Sequence, residues 1–385
     1  MKRFTTRRAV ACIVPALSAL ALAACGTQPH TDRSFVVVTA TTNEPEPALG
    51  ISDIALLANA ADAGDGTVTV VAPSGTLTMP LTPRRNNGQV EHGPRRLELR
   101  DANVKAVADK IASESAALPY DLLELLGAAA RASSRPGTLI VVSSGLSTSG
   151  GLDMRQVLWG AKPIDVAQQL KARGLIPALP GWTVVFTGLG DTVPPQQPLA
   201  TPQQTTLAAY WTAICKATGA KTCTVNNEPR AANPPRSTTA VPTVPVPAVA
   251  SVVGPGDVST TTLPADALFA FDSATADPSA RQALQALATS ARTRHLRVTV
   301  TGYASPDGGT ADYNRALAQR RAAAVRDLLV LLGVPGEQFD AVTGVGVDEY
   351  PPGVCTTGGR LDQNKCAQLR RVVVVTRPFP QLPSA

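Results

Sequence analysis

The chain's 385 residues exceed what one ordinary hydrophobic core organises and point to two domains with a connector. Hydrophobic residues make up 44% of the chain but aromatic ones only 4%, so the cores must be built from Val, Leu and Ala, and large aromatic binding platforms are excluded. The formal charge is +6, but it falls to +2 without Lys2, Arg3, Arg7 and Arg8; no dense basic stripe remains, which excludes nucleic acid as a partner.

The first segment places those four cations ahead of an apolar run over residues 9–24, the order of an export signal. The run is short for a membrane span. It ends Leu22-Ala23-Ala24-Cys25-Gly26, which resembles the bacterial lipobox. The resemblance implies that residues 1–24 are a signal peptide and that Cys25 is diacylated and becomes the mature N-terminus. Residues 25–32 are then a short lipidated tether, on a protein exported to the cell envelope and held to a membrane that faces the cell wall.

Residues 33–228 alternate short β-branched runs with helical stretches. Residues 35–38, 67–71, 138–142 and 182–186 are near-continuous apolar runs, as strands covered on both faces should be. Residues 54–61, 104–117, 120–132, 164–173 and 202–217 read as helices. The alternation predicts an α/β domain with a doubly wound, mostly parallel sheet, whose ligands would sit at the strand C-termini. The layout resembles a von Willebrand factor type A domain. That family holds a divalent cation with Asp-x-Ser-x-Ser after its first strand, whereas here Thr39-Ala40-Thr41-Thr42-Asn43 lacks the carboxylate. Ser143-Ser144-Gly145 stands where the family has Asp-Gly, so no metal is expected. Ser143, Ser144, Ser147 and Ser149 do not make a hydrolase: the nucleophile elbow lacks its first glycine, and no candidate His follows in this domain. No catalysis and no cofactor are expected. The loop is read as structural or as a contact for a protein partner.

Apart from Cys12 in the signal and Cys25, four cysteines remain in two close pairs. Outside the cytoplasm they are expected to oxidise as Cys215–Cys223 and Cys355–Cys366. Neither pair has the CxxC or Cys/His clustering of a zinc site. Between the pairs, residues 229–256 are dense in proline and read as a semi-rigid polyproline spacer joining two independent units.

The second domain is expected over residues 257–378, with 379–385 as a tail. Leu268-Phe269-Ala270-Phe271-Asp272-Ser273 reads as a strand running into a helix start, followed by a helix with Pro278 in its first turn and an alternating strand over 296–301. Then come Gly302-Tyr303-Ala304-Ser305-Pro306-Asp307-Gly308-Gly309 and a helix on which Asn314, Leu317, Arg321 and Val325 share one face. The chain closes with Gly344-Val345-Gly346-Val347-Asp348-Glu349-Tyr350-Pro351 and Leu369-Arg370-Arg371 before a final strand.

These segments resemble the OmpA-like peptidoglycan-binding domain, an α+β fold. The helix matches Asn-x-x-Leu-Ser-x-x-Arg-Ala-x-x-Val with Ala318 in place of Ser, and Leu369 replaces the Asn of the family's Asn-Arg-Arg. The resemblance implies that Arg321 pairs with the carboxylate of diaminopimelate in the peptidoglycan stem peptide and that a loop Asp receives its ammonium group. A zwitterionic end needs one fixed cation and one fixed anion, and the planar Arg fork suits a carboxylate. Counting from Gly302, the family's Asp position is Ser305. The anion is therefore assigned to Asp307, two residues on, with Ser305 and backbone amides as the alternative. Arg321 read by itself could instead pair with Asp348 or Glu349, and Asn314 could be a cap or loop brace. Arg371, with Arg370, is read as a glycan or carboxylate contact or as a solvated edge charge. The expected function is a non-catalytic tether between membrane and cell wall. The alternatives are an adaptor whose first domain binds an envelope protein complex and, less favoured, an envelope hydrolase.

Overall fold

The computed structural model describes residues 33–62, 66–133, 135–157, 159, 161–228, 233–269, 272–278, 280–306, 309–361 and 363–379. Both the export segment with Cys25 and Asp307 lie outside them. Among the described residues, no helix is long and apolar enough to cross a membrane.

The first domain runs β1 (Arg33–Val38), α1 (Ile51–Asp62), β2 (Thr67–Ala72), β3 (Gly75–Pro80), α2 (Arg96–Ala112), α3 (Leu122–Arg131), β4 (Thr138–Val142), α4 (Pro163–Ala172), β5 (Thr183–Thr187), α5 (Thr201–Ala217) and β6 (Thr222–Asn226). Its sheet has the order β3-β2-β1-β4-β5-β6. All neighbours are parallel except the β2–β3 hairpin. Successive strand residues face opposite sides. Val36 and Val38 therefore meet Leu57, Val104, Val107 and Ile111 from α1 and α2 on one face. Phe35 and Val37 meet Leu122, Leu126, Leu170, Tyr210 and Trp211 from α3, α4 and α5 on the other. The result is a mixed α/β domain whose sheet combines parallel and antiparallel pairs. Two strands escaped the sequence reading. β3 is exposed nearly throughout and β6 only half-buried, so neither carries an apolar run. Helix α2 starts at Arg96 rather than 104 because its first turns are polar, and only Val104, Val107 and Ile111 are buried.

The proline-rich segment is not the free spacer its composition suggests, because it is strapped across the first domain. Side-chain donors reach its carbonyls: Asn43 Nδ2 to Pro242 O at 2.9 Å, Trp159 Nε1 to Pro245 O at 3.0 Å and Gln203 Nε2 to Pro247 O at 2.9 Å. Gln196 grips Val244 twice, its Oε1 accepting from the backbone N–H at 2.7 Å and its Nε2 donating to the carbonyl at 3.0 Å. Val241 and Val244 are buried, and Val244 belongs to the first domain's core. Extended proline-rich backbone makes no internal hydrogen bonds, so its carbonyls are open to any donor nearby. Composition reports only the backbone conformation; the docking donors come from other parts of the sequence.

The second domain runs β7 (Ala250–Val253), β8 (Ser259–Pro264), α6 (Ala265–Leu268), α7 (Ala280–Thr293), β9 (Arg297–Tyr303), α8 (Ala311–Leu331), β10 (Phe339–Val345), β11 (Thr356–Thr357), β12 (Arg360–Leu361), α9 (Gln363–Leu369) and β13 (Arg371–Arg377). The five-stranded sheet has the order β10-β9-β13-β8-β7, with only β9–β10 parallel. Helices α7 and α8 cover it with Leu284, Ala288, Ala322, Val325 and Leu329 against Leu263, Val298, Val300, Val372 and Val374. The sheet opens with β7, inside the stretch read as connector, and β8. The strand expected at 268–273 is corrected: Leu268 closes α6, and Phe269 makes only an isolated bridge to Ala276. The Thr-rich run of β8 takes the opening place because β-branched residues suit a half-buried sheet. Disulfides join Cys215 to Cys223 and Cys355 to Cys366. Helix α5 packs against α6, so the domains touch directly as well as through the strap.

Helix α8 lies unusually close to the sheet. A Cβ at Gly302 would stand 2.1 Å from Ala318 O, and one at Gly344 would stand 2.3 Å from Gln319 N. Gly302→Ala is expected to destabilise the second domain by about 1–3 kcal/mol, the usual range for overpacking. Gly336→Ala, where nothing lies within 4 Å, should change little; denaturant unfolding of both variants compares them. For the strap, Gln196→Ala strands the backbone N–H and C=O of Val244, a loss of about 1–3 kcal/mol for each buried group left unpaired. Limited proteolysis should then cut residues 233–249 faster than in wild type; unchanged cleavage would mean that the strap does not depend on this residue.

Candidate functional site

Two regions concentrate polar groups. The first is the C-terminal end of β1 and β4, where the sequence has Thr39–Asn43 and Ser143–Gly145. Here the carboxylate of Glu44, 4% exposed, is enclosed by donors. It accepts from Thr39 Oγ1 at 2.8 Å, Thr41 N at 3.2 Å, Tyr120 Oη at 3.1 Å, Ser144 N at 2.9 Å and Ser144 Oγ at 2.7 Å. Burial and, after it, the charge of Glu44 push the Tyr120 phenol well above its ordinary pKa, so it stays a donor. One carboxylate already saturated by N–H and O–H donors is a poor fit for a hard divalent cation, which needs several free oxygens. Glu44 braces two strand ends, and Ser143 and Ser144 belong to that brace.

The second region is a cavity of about 820 Å³ between the second domain and the loop and helix around α4. Helix α8 supplies its floor. Thr310 caps the helix, its Oγ1 accepting from Tyr313 N at 3.2 Å, and Asn314, Leu317 and Arg321 then follow on one buried face that lines the cavity. Arg321 is 4% exposed. Its Nε donates to Ser273 O at 2.9 Å, and its guanidinium carbon lies 5.5 Å from the centre of the Phe269 ring. Burial lowers its pKa to about 10, with Asp266 and Asp272 opposing that fall and Arg370 adding to it. Arg321 is therefore a cation at neutral pH, held in place before any ligand arrives.

The cavity carries both signs of charge. Asp266, on α6, has its pKa raised by burial, against the pull of Arg370 and Arg321. Asp272 accepts from Tyr313 Oη at 2.9 Å. Its φ of 54° lies in the left-handed region that Asp tolerates better than most residues. Arg370 Nη1 donates to Ser305 Oγ at 3.2 Å. Asn314 is 4% exposed, and its Nδ2 is buried with no hydrogen-bond partner among the described residues.

Of the residues singled out from sequence, Arg321, Asn314 and Ser305 come together here. Asp307 lies outside the described residues. Arg371 is not at the cavity: its guanidinium sits 4.8 Å from the centre of the Tyr303 ring, and its Nη1 donates to Gln368 O at 2.5 Å. The cavity instead takes Arg370, because strand residues alternate sides and 370 shares the inward side of Val372 and Val374. Glu349 lies 3.8 Å from Arg315, which is about 120° around α8 from Arg321. The sequence reading missed Asp266 and Asp272 as site acids. Asp272 was visible only as a helix-start residue, and nothing local marks Asp266, which α6 carries to the cavity from its place against α5, β8 and β13.

Comparison with known proteins bears on the second domain. Residues 268–352 match the OmpA family, and the C-terminal domain is OmpA-like. The chain is 38% identical over 124 residues to outer membrane protein A of Yersinia pseudotuberculosis, 31% of this chain and 32% of that protein. It is 43% identical over 70 residues to the peptidoglycan-associated lipoprotein of Rhizobium meliloti, 18% of this chain and 38% of that protein. It thus spans about a third to two fifths of the length of these relatives. Among solved structures, the peptidoglycan-associated lipoprotein from Burkholderia pseudomallei is 28% identical, with 30% of this chain and 89% of that chain covered and a TM-score of 0.25.

The raised pKa of Asp266 has a definite sign. The unfolded chain ionises at the ordinary aspartate value and the folded chain only above it, so this group's contribution to stability is complete below the ordinary value and is lost as pH rises through the raised one. Unfolding measured across the acidic range should show that slope in wild type and not in Asp266→Asn. Identical slopes would place Asp266 in an ordinary aqueous setting.

Proposed function

We propose that this chain is a non-catalytic lipoprotein of the cell envelope that binds the stem peptide of peptidoglycan at the Arg321 cavity. The observation that carries this reading is a buried, pre-positioned cation beside two carboxylates and an unsatisfied amide, in a domain that is OmpA-like. Diaminopimelate ends in a carboxylate and an ammonium on one carbon. Arg321, supported by Asn314 Nδ2 and Arg370, receives the carboxylate. Asp266 and Asp272 are the described anions for the ammonium, with Asp307 retained as a loop acid. Binding of this kind makes and breaks no covalent bond, and the names of the relatives, which speak of peptidoglycan association, support it.

The membrane end of the tether rests on the lipobox resemblance at Cys25. Residues 25–32 reach at most about 29 Å when fully extended. Because the proline-rich segment is strapped down, it adds little to that reach, and the cavity would work close to the anchoring membrane. The first domain's sheet order supports its von Willebrand factor type A-like reading, with Glu44 in the place of a metal centre. Its α4 face lines the cavity, and the adaptor alternative would place an envelope protein complex on the domain's other surfaces.

Sedimentation of the lipid-free protein with purified diaminopimelate-type peptidoglycan tests the proposal. Wild type should pellet with the wall material. Arg321→Ala should lose roughly 30-fold or more in affinity, as expected when one member of a buried charge contact is removed. Arg321→Lys, which keeps the charge without the fork, should fall between, and circular dichroism establishes that each variant is folded. Wild type remaining in the supernatant would overturn the reading.

A further inference from the structure

The cavity has two walls, and only one of them belongs to the OmpA-like domain. The other is one face of α4 in the first domain, which presents Lys162, Asp165, Gln169 and Arg173 at helical spacing, with Val166 and Leu170 between them. The four polar residues are exposed. Lys162 and Arg173 make no ion pair or side-chain hydrogen bond among the described residues. A face that served only to dock the domains would close against its partner. This one is polar and stands off across about 820 Å³.

Size and length agree on what such a space accepts. Pockets for drug-sized ligands measure roughly 300–1,000 Å³, so this cavity exceeds the needs of a single amino-acid end. A helix of 10 residues is about 15 Å long, the length of four or five residues of extended peptide at about 3.3 Å each. The strap and the α5–α6 contact hold the two walls opposite each other.

We infer that α4 forms the second half of the stem-peptide site. The OmpA-like wall takes the zwitterionic diaminopimelate end, and one of the two cations that bracket α4, Lys162 at its start or Arg173 about 16 Å away at its end, meets a second carboxylate elsewhere on the same peptide, that of the neighbouring glutamate. This rests on the stem-peptide reading and extends it. The ligand is then a short peptide with two separated acidic groups, and recognition requires both domains of this chain. Masking the second carboxylate as an amide would remove the contribution of α4 while leaving that of Arg321.

Calorimetric titration of the lipid-free protein with three ligands separates the possibilities: free diaminopimelate, and a synthetic stem tetrapeptide in two forms, with the glutamate carboxylate free or amidated. The variant is Lys162→Gln combined with Arg173→Gln, both positions being exposed. The expected result is a loss of about fivefold or more for the acidic tetrapeptide, the scale of a part-exposed charge contact, with free diaminopimelate unchanged. Wild type should bind the amidated tetrapeptide as weakly as the variant binds the acidic one. If the variant binds the acidic tetrapeptide as wild type does, α4 is no part of the site and the inference falls, while the stem-peptide reading stands. Equal weakening for tetrapeptide and free diaminopimelate would also overturn it, since the two walls would then not read separate groups. Wild type binding neither ligand would remove both readings.

Discussion

Hydrogen bonds from side chains of the first domain to the carbonyls of the proline-rich strap hold this molecule in its working arrangement. Proline has no N–H to offer, and extended proline-rich backbone makes no bonds within itself. Such a segment becomes ordered only where donors from elsewhere meet it. Asn43, Trp159, Gln196 and Gln203 supply them, and Val244 adds an apolar anchor in the core. The path this imposes sets α6 against α5 and leaves α4 across the cavity from α8. Without the strap, the α5–α6 contact alone would have to hold the two walls of the cavity opposite each other.

Within that cavity the electrostatics favour recognition over stability. Taking Arg321 out of water is costly, and the fall of its pKa to about 10 records part of that cost. Asp266 and Asp272 moderate it and Arg370 aggravates it, so the four groups form a nearly balanced set of two cations and two acids. A hydrophobic replacement would be cheaper for folding alone. What the charged arrangement provides is a pair of fixed, opposite fields, as the proposed zwitterionic ligand requires, with little rearrangement needed on binding. The unsatisfied Asn314 amide fits the same account.

The first domain treats its own polar centre in the opposite way. At the strand ends where α/β sheets usually receive ligands, Glu44 satisfies the hydroxyls of Thr39 and Ser144 and the amides of Thr41 and Ser144. That centre is closed by the chain itself. Beside the cavity, by contrast, α4 keeps a polar face open.

The sequence by itself determined the elements that repeat with a period. The apolar runs of β1, β2, β4 and β5 and the shared face of Asn314, Leu317, Arg321 and Val325 were legible because strand and helix geometry write themselves into spacing. The two disulfides could be read from close pairs of cysteines. Other features were settled only by tertiary structure. The edge strands β3 and β6 carry no apolar signal, because a strand with an exposed face needs none. Which of Arg370 and Arg371 lines the cavity depended on the register of β13, where a shift of one residue exchanges the faces. Asp266, the docking of the strap and the facing wall on α4 depend on contacts between residues scores of positions apart, such as Gln196 with Val244. Local pattern cannot encode them, since each side chain acquires its role from a partner that only the folded chain brings near.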